Sequence, residues 1–448
     1  MATALVVLGA GMGTRMNSDL PKVLHQIAGA PMLVHAMKAG AALDPAKTVI
    51  VAGHGAADVE KAAKAYDPDT DVVIQDQQLG TAHAVAQAQS ALEGFEGDVI
   101  VLYGDTPFIQ AETLAAMTAA RLTHDIVVLG FVADDPGRYG RLIVKDDQLD
   151  RIVEFKDADE AERAVALCNS GVVAADARTL FDLIDAVGND NAAGEYYLTD
   201  IIGIARSKGL SATVVTCAEA ETLGVNSRSE LARAEALFQR RARSSALDDG
   251  VTLIAPDTVY FAHDTAVRRD SIIEPHVVFG PGVTVESGAH IKAFSHLEGC
   301  HVSRGGVIGP YARLRPGAEL SEGVKIGNFV EIKNAAIAEG AKVNHLSYIG
   351  DAAIGARSNV GAGTITCNYD GVFKHKTQIG ADAFIGSNTM LVAPVSIGDQ
   401  AMTASGSVIT RDVPQGDLAV GRARQENKGG FAIRMFDRLR ALKAKGKS

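Results

Sequence analysis

The sequence predicts a Rossmann-like α/β domain with a mostly parallel sheet, followed by a parallel β-helix built from hexapeptide repeats. Two observations carry this. Bulky aliphatic residues recur every six positions between about 267 and 408. The series are Val267, Ile273, Phe279, Val285, Ile291 and Leu297, then Ile308, Leu314, Leu320, Ile326 and Ile332, then Ile379, Ile385, Leu391 and Ile397. Before residue 226, short apolar runs alternate instead with Ala-rich helical stretches. A six-residue period suits neither an amphipathic helix nor a single strand. It suits a flat-sided coil in which each hexad gives one short strand and one corner, with the aliphatic residue stacked inward. Gly often follows the aliphatic residue, as in Ile308-Gly309, Ile326-Gly327 and Ile397-Gly398, and is expected to allow the tight corner.

In chain order, 4–8 reads as a buried parallel strand, with similar strands at 48–52, 72–75, 98–102, 126–131 and 212–216. Helices are expected at 55–66, 82–92 and 111–123. Alternation of this kind makes an α/β sheet, whose ligands bind beyond the strand C-termini. A helix over 227–247, capped by Ser229, marks the boundary: Leu231, Ala234, Leu237 and Phe238 form one apolar face. The expected division is 1–225, a linker helix at 226–250, the β-helix at 251–422 and a basic tail at 423–448.

The chain has 448 residues, 47% of them hydrophobic, with a net charge of −11. That charge argues against a general nucleic-acid binder and leaves local phosphate sites open. Four Cys are widely scattered without metal-ligand spacing, as expected of reduced thiols in a cytoplasmic protein. The apolar run 2–12 lacks a basic flank and reads as strand and turn rather than signal peptide. No run reaches transmembrane length, so no stable membrane insertion is expected.

The polar residues after strands carry the chemistry. Gly9-Ala10-Gly11-Met-Gly-Thr-Arg15, followed by Pro21-Lys22, follows the first strand; its backbone N–H groups can approach phosphate, and Arg15 and Lys22 can bring two charges to a triphosphate. A Walker loop fails for want of Gly-Lys-Ser/Thr. A dinucleotide fingerprint fails because Thr14 stands at its third glycine and no acidic residue ends the second strand. In Gln75-Asp-Gln-Gln-Leu-Gly80-Thr81, amides can pair with a uracil edge, Gly80 permits close approach and Thr81 can cap the next helix. Asp105, in Tyr103-Gly104-Asp105, puts a carboxylate at a strand end, suited to Mg²⁺. Each motif has a bland counterpart: a turn with solvated cations, a capped loop, a capping Asp. Gly140, Glu154 and Asn169 lie at later strand ends and suit a polyhydroxylated sugar.

Together the stretches 103–105, Glu195-Tyr-Tyr-Leu-Thr-Asp200, Gly224-Val-Asn226, Ala312-Arg-Leu-Arg-Pro-Gly317, Gly327-Asn-Phe-Val-Glu331, His345-Leu-Ser-Tyr348 and 361–371 make the chain resemble a bacterial family. Its members join glucosamine-1-phosphate N-acetyltransferase and N-acetylglucosamine-1-phosphate uridylyltransferase in one chain. The resemblance runs from about Leu5 to Arg422 and implies a nucleotidyltransferase fold and a left-handed β-helix. It implies that UTP and the sugar nucleotide are held by Leu8, Gly9, Ala10, Gly11, Lys22, Gln75, Gly80, Thr81, Tyr103, Gly104, Asp105, Gly140, Glu154, Asn169 and Asn226. Mg²⁺ would sit on Asp105 and Asn226, with Arg15 and Lys22 on the phosphates. In the second domain, Arg315, Lys333, Tyr348, Asn359 and Lys374 would hold glucosamine-1-phosphate. His345 would be the base, and Gly363, Asn368, Tyr369, Ser387, Ser405 and Arg422 would line the acetyl-CoA site. Ser405 stands where the family commonly has Ala, and Phe155 where a polar residue is usual.

The chemistry agrees. Transfer of UMP to an already ionised phosphate needs charge neutralisation and no base. Acetylation of an ammonium needs a proton acceptor titrating near neutrality, as His345 would. Glu331 is a candidate for orienting the His345 ring, and a backbone N–H near Ser405 for the oxyanion. The other repeat-domain histidines, His263, His276, His290, His296, His301 and His375, read as surface or corner residues. Residues 368–378 break the repeat, and such an ejected loop often builds a site. The resemblance also implies a homotrimer with the acetyl-transfer site at a subunit boundary. The tail from Arg422 carries nine Lys/Arg against two Asp/Glu and suggests a short amphipathic helix, solvated or facing anionic phosphates. Three alternatives stay open: a nucleotidyltransferase with a merely structural β-helix, a β-helix scaffold with a vestigial nucleotide domain, and a zinc β-helix hydratase.

Overall fold

The computed structural model describes residues 2–146 and 148–446, and the chain forms two compact units. One is Met1–Ala242 with Phe261–His263, the other Arg243–Tyr260 with Asp264–Ser448.

In the first unit the apolar run after residue 2 forms the strand Thr3–Gly9, fully buried from Ala4 to Val7. It pairs in parallel with Lys47–Ala52 on one side and Asp98–Tyr103 on the other. The main sheet runs Ala212–Cys217, Ile126–Val132, Leu167–Asp176, Asp98–Tyr103, Thr3–Gly9, Lys47–Ala52, Asp71–Ile74. Only Leu167–Asp176 runs against its neighbours on this path. A hairpin, Arg141–Lys145 with Gln148–Val153, joins it through the Cys168–Arg141 pairing. The chain leaves Thr3–Gly9 towards one edge and returns at Asp98–Tyr103 on its other side. The crevice beyond these two strand ends is therefore the place where strand order reverses, the expected ligand position. Apolar residues alternate between the two faces, with Val6 and Leu8 in one core and Leu5 and Val7 in the other.

The expected helix over 82–92 is shorter: regular helix covers Thr81–Ala86, and turns continue to Gly94. The boundary helix is Arg228–Asp248. Its cap is Ser227, not Ser229: Ser227 Oγ accepts from Glu230 N at 3.3 Å, while the Glu230 carboxylate accepts from Asn226 N at 2.7 Å. This is a near capping box set two residues earlier than expected.

The second unit is a left-handed parallel β-helix. Ten short strands from Thr252–Leu253 to Leu418–Ala419 make one face; the other strands make the remaining two. Inward residues such as Ile308, Leu314 and Ile332 are fully buried, one coil above the next. The glycines that follow inward residues act in two ways: Gly309, at φ +93°, takes the corner conformation expected of it, while others serve close packing. At Gly386 and Gly398 a Cβ would sit 2.5 Å from Ser405 N and Gln415 N of the next coil. These glycines are needed for close coil-to-coil approach. Some left-handed corners are occupied by larger residues, His276, Phe294, Tyr311 and Phe329, at φ between +55° and +60°. The strain is offset by stacking: their rings follow one another at 4.8, 4.9 and 5.1 Å. His290 and His301 sit on strand faces beside Glu274 and Glu286 rather than at corners.

The tail forms a helix, Phe431–Lys445, with no buried residue. No helix among the described residues is long and apolar enough to cross a membrane.

Candidate functional sites in the two units

In the first unit, pairing of Leu8 with Tyr103 sets the loops after the two strands side by side, and Gly104 N donates to Leu8 O at 2.9 Å. The crevice between them has a volume of about 350 Å³ and is lined by Leu8, Ala10, Gly11, Lys22, Gln75, Gly80, Thr81, Tyr103 and Asp105, all expected from the sequence. Gly9 and Gly104 lie just behind it as backbone. Arg15 is exposed on the turn Thr14–Met16 and does not line the crevice.

The sequence reading missed Gln78 and Glu195, which line it too. Gln78 Nε2 donates to Ala10 O at 2.6 Å and so ties the amide-rich loop to the Gly-rich one. The signal was there in the run of amides after residue 75. Gly80 has φ +118°, and a Cβ would meet Tyr196 O at 2.5 Å; only Gly fits. Thr81 does not cap its helix. Its Oγ1 accepts from Leu198 N at 2.9 Å, because the 196–198 backbone lies against this turn.

At the crevice end, Val225 N donates to Asp105 O at 3.0 Å, which brings Asn226 beside Asp105. The Lys22 ammonium binds the Asp105 carboxylate and donates to Asn226 Oδ1 at 3.0 Å. Two hard oxygens thus already converge on one cation. No cluster of three or more metal-type His, Cys, Asp or Glu side chains exists among the described residues.

The sugar-side trio is also assembled. A Cβ on Gly140 would lie 3.5 Å from Glu154 Oε1 and 3.6 Å from Asn169 Cβ. A register shift between Asn169 and Val173 places Asn169 at the irregular end of its strand. Glu154 accepts from Thr199 Oγ1 at 3.2 Å; burial, reinforced by Asp157 and Asp200, pushes its carboxyl above the usual range. Burial, with Asp105 and Glu154 nearby, likewise raises the Tyr103 hydroxyl. Phe155, the departure from the usual polar residue, lies under the Arg141 and Arg163 guanidiniums.

In the second unit, successive coils stack the acyl-transfer candidates along one edge. Gly363 N donates to His345 O at 3.1 Å, and Gly406 N to Ser387 O at 2.8 Å. A Cβ on Gly386 would meet Ser405 N, and one on Gly406 would approach Arg422 at 3.7 Å. His345, Gly363, Ser387, Ser405 and Arg422 therefore follow one line. His345 Nδ1 is 2.8 Å from Asn328 Oδ1, because Asn328 pairs with His345 one coil earlier. Glu331 does not orient the ring: its carboxylate accepts from Arg315 Nη1 at 2.8 Å and its strand neighbour is Tyr348.

Arg315, Lys333 and Tyr348 share the next face. The Lys374 ammonium reaches Lys333 from the ejected loop, and that neighbour holds Lys374 below the ordinary ammonium range. Asn368 and Tyr369 begin that loop. Asn359 lies on a different face, paired with Lys342 and Phe384, so one chain does not bring it to the Lys333 group.

Residues 5–186 match the family described as MobA-like NTP transferase domain, and 376–411 match bacterial transferase hexapeptide repeats. Among whole-length relatives, the bifunctional protein GlmU of Ruegeria pomeroyi is 70% identical over 444 residues, covering 99% of each chain. That of Ruegeria sp. strain TM1040 is 67% identical with the same coverage, and that of Dinoroseobacter shibae 66% identical over 448 residues and the whole of both chains. With an NTP transferase domain in one unit, transferase hexapeptide repeats in the other and identity of this extent from end to end, the chain belongs to the GlmU family of bifunctional transferases.

Proposed function

We propose that the β-helix edge acetylates glucosamine-1-phosphate from acetyl-CoA, and that the first unit then transfers UMP from UTP to the N-acetylglucosamine-1-phosphate formed, giving UDP-N-acetylglucosamine and pyrophosphate. Bifunctional acetyltransferase and uridylyltransferase activity is the function of the family; the assignment of residues to steps is our reading. The observation that carries it is that a crevice in the first unit gathers Gln75, Gly80, Lys22 and Asp105, while one edge of the β-helix lines up His345, Ser387, Ser405 and Arg422.

In the first unit the backbone at 9–11 and the amides of Gln75 and Gln78 receive the nucleotide, while Gly140, Glu154 and Asn169 receive the sugar. Lys22 supplies fixed positive charge where negative charge accumulates on the phosphates. Arg15 reaches them only if its turn folds over a bound triphosphate. Asp105 and Asn226 fit Mg²⁺: both are hard oxygen donors, they converge on one point, and substrate phosphates and water complete such a site. When bound, Mg²⁺ would neutralise charge on the triphosphate and favour departure of pyrophosphate.

In the second unit Lys333, Lys374 and Arg315 suit the sugar phosphate, with Tyr348 beside them. His345 removes the proton that the attacking amine must lose, and Asn328 holds the ring through Nδ1, leaving Nε2 for that proton. Ser387, Ser405 and Arg422 on the same edge, with Asn368 and Tyr369 of the loop, suit acetyl-CoA. Asn359 belongs to this site only if a second copy brings it there, which supports a homotrimer with the site at a subunit boundary. The cytoplasm supplies all these substrates and keeps the four thiols reduced.

The test is one mixture of pure protein, glucosamine-1-phosphate, acetyl-CoA, UTP and Mg²⁺. Thiol release, with pyrophosphate release that depends on acetyl-CoA, is expected. Pyrophosphate without thiol release would reduce the β-helix to a scaffold.

A further inference from the structure

The nine residues that leave the β-helix after Cys367 hold themselves together. Asp370 accepts from Val372 N at 2.8 Å, Phe373 N at 2.7 Å and His375 Nε2 at 2.7 Å, and His375 N donates to Asn368 O at 2.8 Å. Tyr369 and Lys374 face each other across this small loop. Such a unit is rigid within itself, but its placement on the coil depends on its root.

That root is Asn368, 7% exposed, whose amide donates to the Asp351 carboxylate. Asp351, itself 6% exposed, has its second oxygen occupied by Asn334 Nδ2 at 2.5 Å. Asn334, Asp351 and Asn368 are seventeen residues apart in sequence and stand in three successive coils. Asn334 and Asp351 both hold left-handed corners, at φ +44° and +48°. Burial alone would raise the Asp351 carboxyl; the two amide bonds and the charges of Lys333 and Lys374 outweigh it and keep the group ionised. Its charge favours the ammonium form of Lys374, against the repulsion from Lys333.

We infer that Asp351 is a positioning residue for acetyl transfer: it pins the 368–376 loop to the coil and holds Lys333 and Lys374 together as a preformed clamp for the phosphate of the sugar substrate. A buried carboxylate with both oxygens bonded fixes geometry, and the nearby charge lets two cations converge on a dianion before it arrives. With 6% exposure and both oxygens bonded, Asp351 acts through these neighbours. The inference rests on the assignment of the sugar phosphate to Lys333 and Lys374.

The test uses Asp351→Asn, which keeps the shape and removes the charge, and Asn334→Gly, which removes one amide at a corner where glycine is unstrained. Acetyl transfer is followed with glucosamine-1-phosphate and acetyl-CoA varied in turn, and uridylyl transfer is measured on the same samples. The wild-type chain must acetylate glucosamine-1-phosphate; if it does not, the assigned function fails and not this inference. Given that, Asp351→Asn is expected to raise the KM for glucosamine-1-phosphate tenfold or more, to change kcat less than threefold and to leave uridylyl transfer intact. Asn334→Gly is expected to raise the same KM at least twofold. An unchanged KM in Asp351→Asn, or a fall in kcat alone, overturns the inference. Should Asp351→Asn fail to fold, Asn334→Gly decides alone, and an unchanged KM in it overturns the inference.

Discussion

On the proposed assignment the two reactions turn on Lys22 and His345, and each has a separable outcome. Lys22→Met removes the ammonium shared by Asp105 and Asn226; pyrophosphate release is expected to fall about 10²–10³-fold, the usual loss for one electrostatic donor, with thiol release unaffected. His345→Ala is expected to lower thiol release about 10²–10⁴-fold, with pyrophosphate release from UTP and N-acetylglucosamine-1-phosphate preserved. Glu154 gives a pH prediction. Its folded carboxyl sits above the usual value because of burial, so the folded state binds more protons and stability falls as pH rises through that range. Glu154→Gln is therefore expected to melt higher than wild type at pH 7.5, with the difference vanishing in acid, as a series of thermal melts would show. At this scale the sequence was legible where a side chain follows a strand, as with Gln75 and Asp105. It was not legible where the partner lies one coil away. Asn328 beside His345, and Glu331 on Arg315 instead, follow from strand pairing that no local spacing displays. Arg15 illustrates the converse: a cation in the right motif whose turn points it to solvent.

Among the elements, strands were easier to read than helix ends. A buried parallel strand announces itself by its apolar run: five of the six strands expected before residue 217 lie within observed ones, and the sixth, 72–75, overruns Asp71–Ile74 by one residue. Caps depend on which of several small polar residues wins. Ser227 won over Ser229 because Glu230 could reach back to the chain before the helix. Ser227→Ala is expected to cost about 1 kcal/mol in a urea melt, and Ser229→Ala nothing measurable. The repeat glycines separate into two physical kinds. Gly386→Ala would set a Cβ 2.5 Å from the Ser405 N of the adjoining coil and is expected to destabilise the β-helix by about 1–3 kcal/mol, as overpacking does. Gly288, at φ +73° with open space around it, is expected to cost only the backbone strain of a left-handed residue, about 1 kcal/mol. The Gly after many aliphatic residues was visible in the sequence; its packing role at Gly386 and Gly398 was not, because coil-to-coil distance is not a property of any one hexad.

The whole molecule is built as two units with different grammars, an α/β sheet and a hexad solenoid, and the change of period in the sequence is what told the two kinds apart. Whether one chain suffices is a question for solution mass: light scattering on the purified protein is expected to give three times 46.8 kDa, and a monomer that acetylates would remove the need for a second copy at Asn359. The solenoid has a further consequence. Because glycine meets backbone from coil to coil and residues seventeen or eighteen apart superimpose, the second unit behaves as an indexed tape on which every later address depends on the count before it. One inserted residue within a strand would move all subsequent addresses off their mates. Relatives of this chain should therefore differ in length here by entire windings, or by excursions where the tape already leaves its track, as it does at 368–376. Aligning their lengths against the windings would reveal whether the edge that carries His345 has been kept by quantised growth.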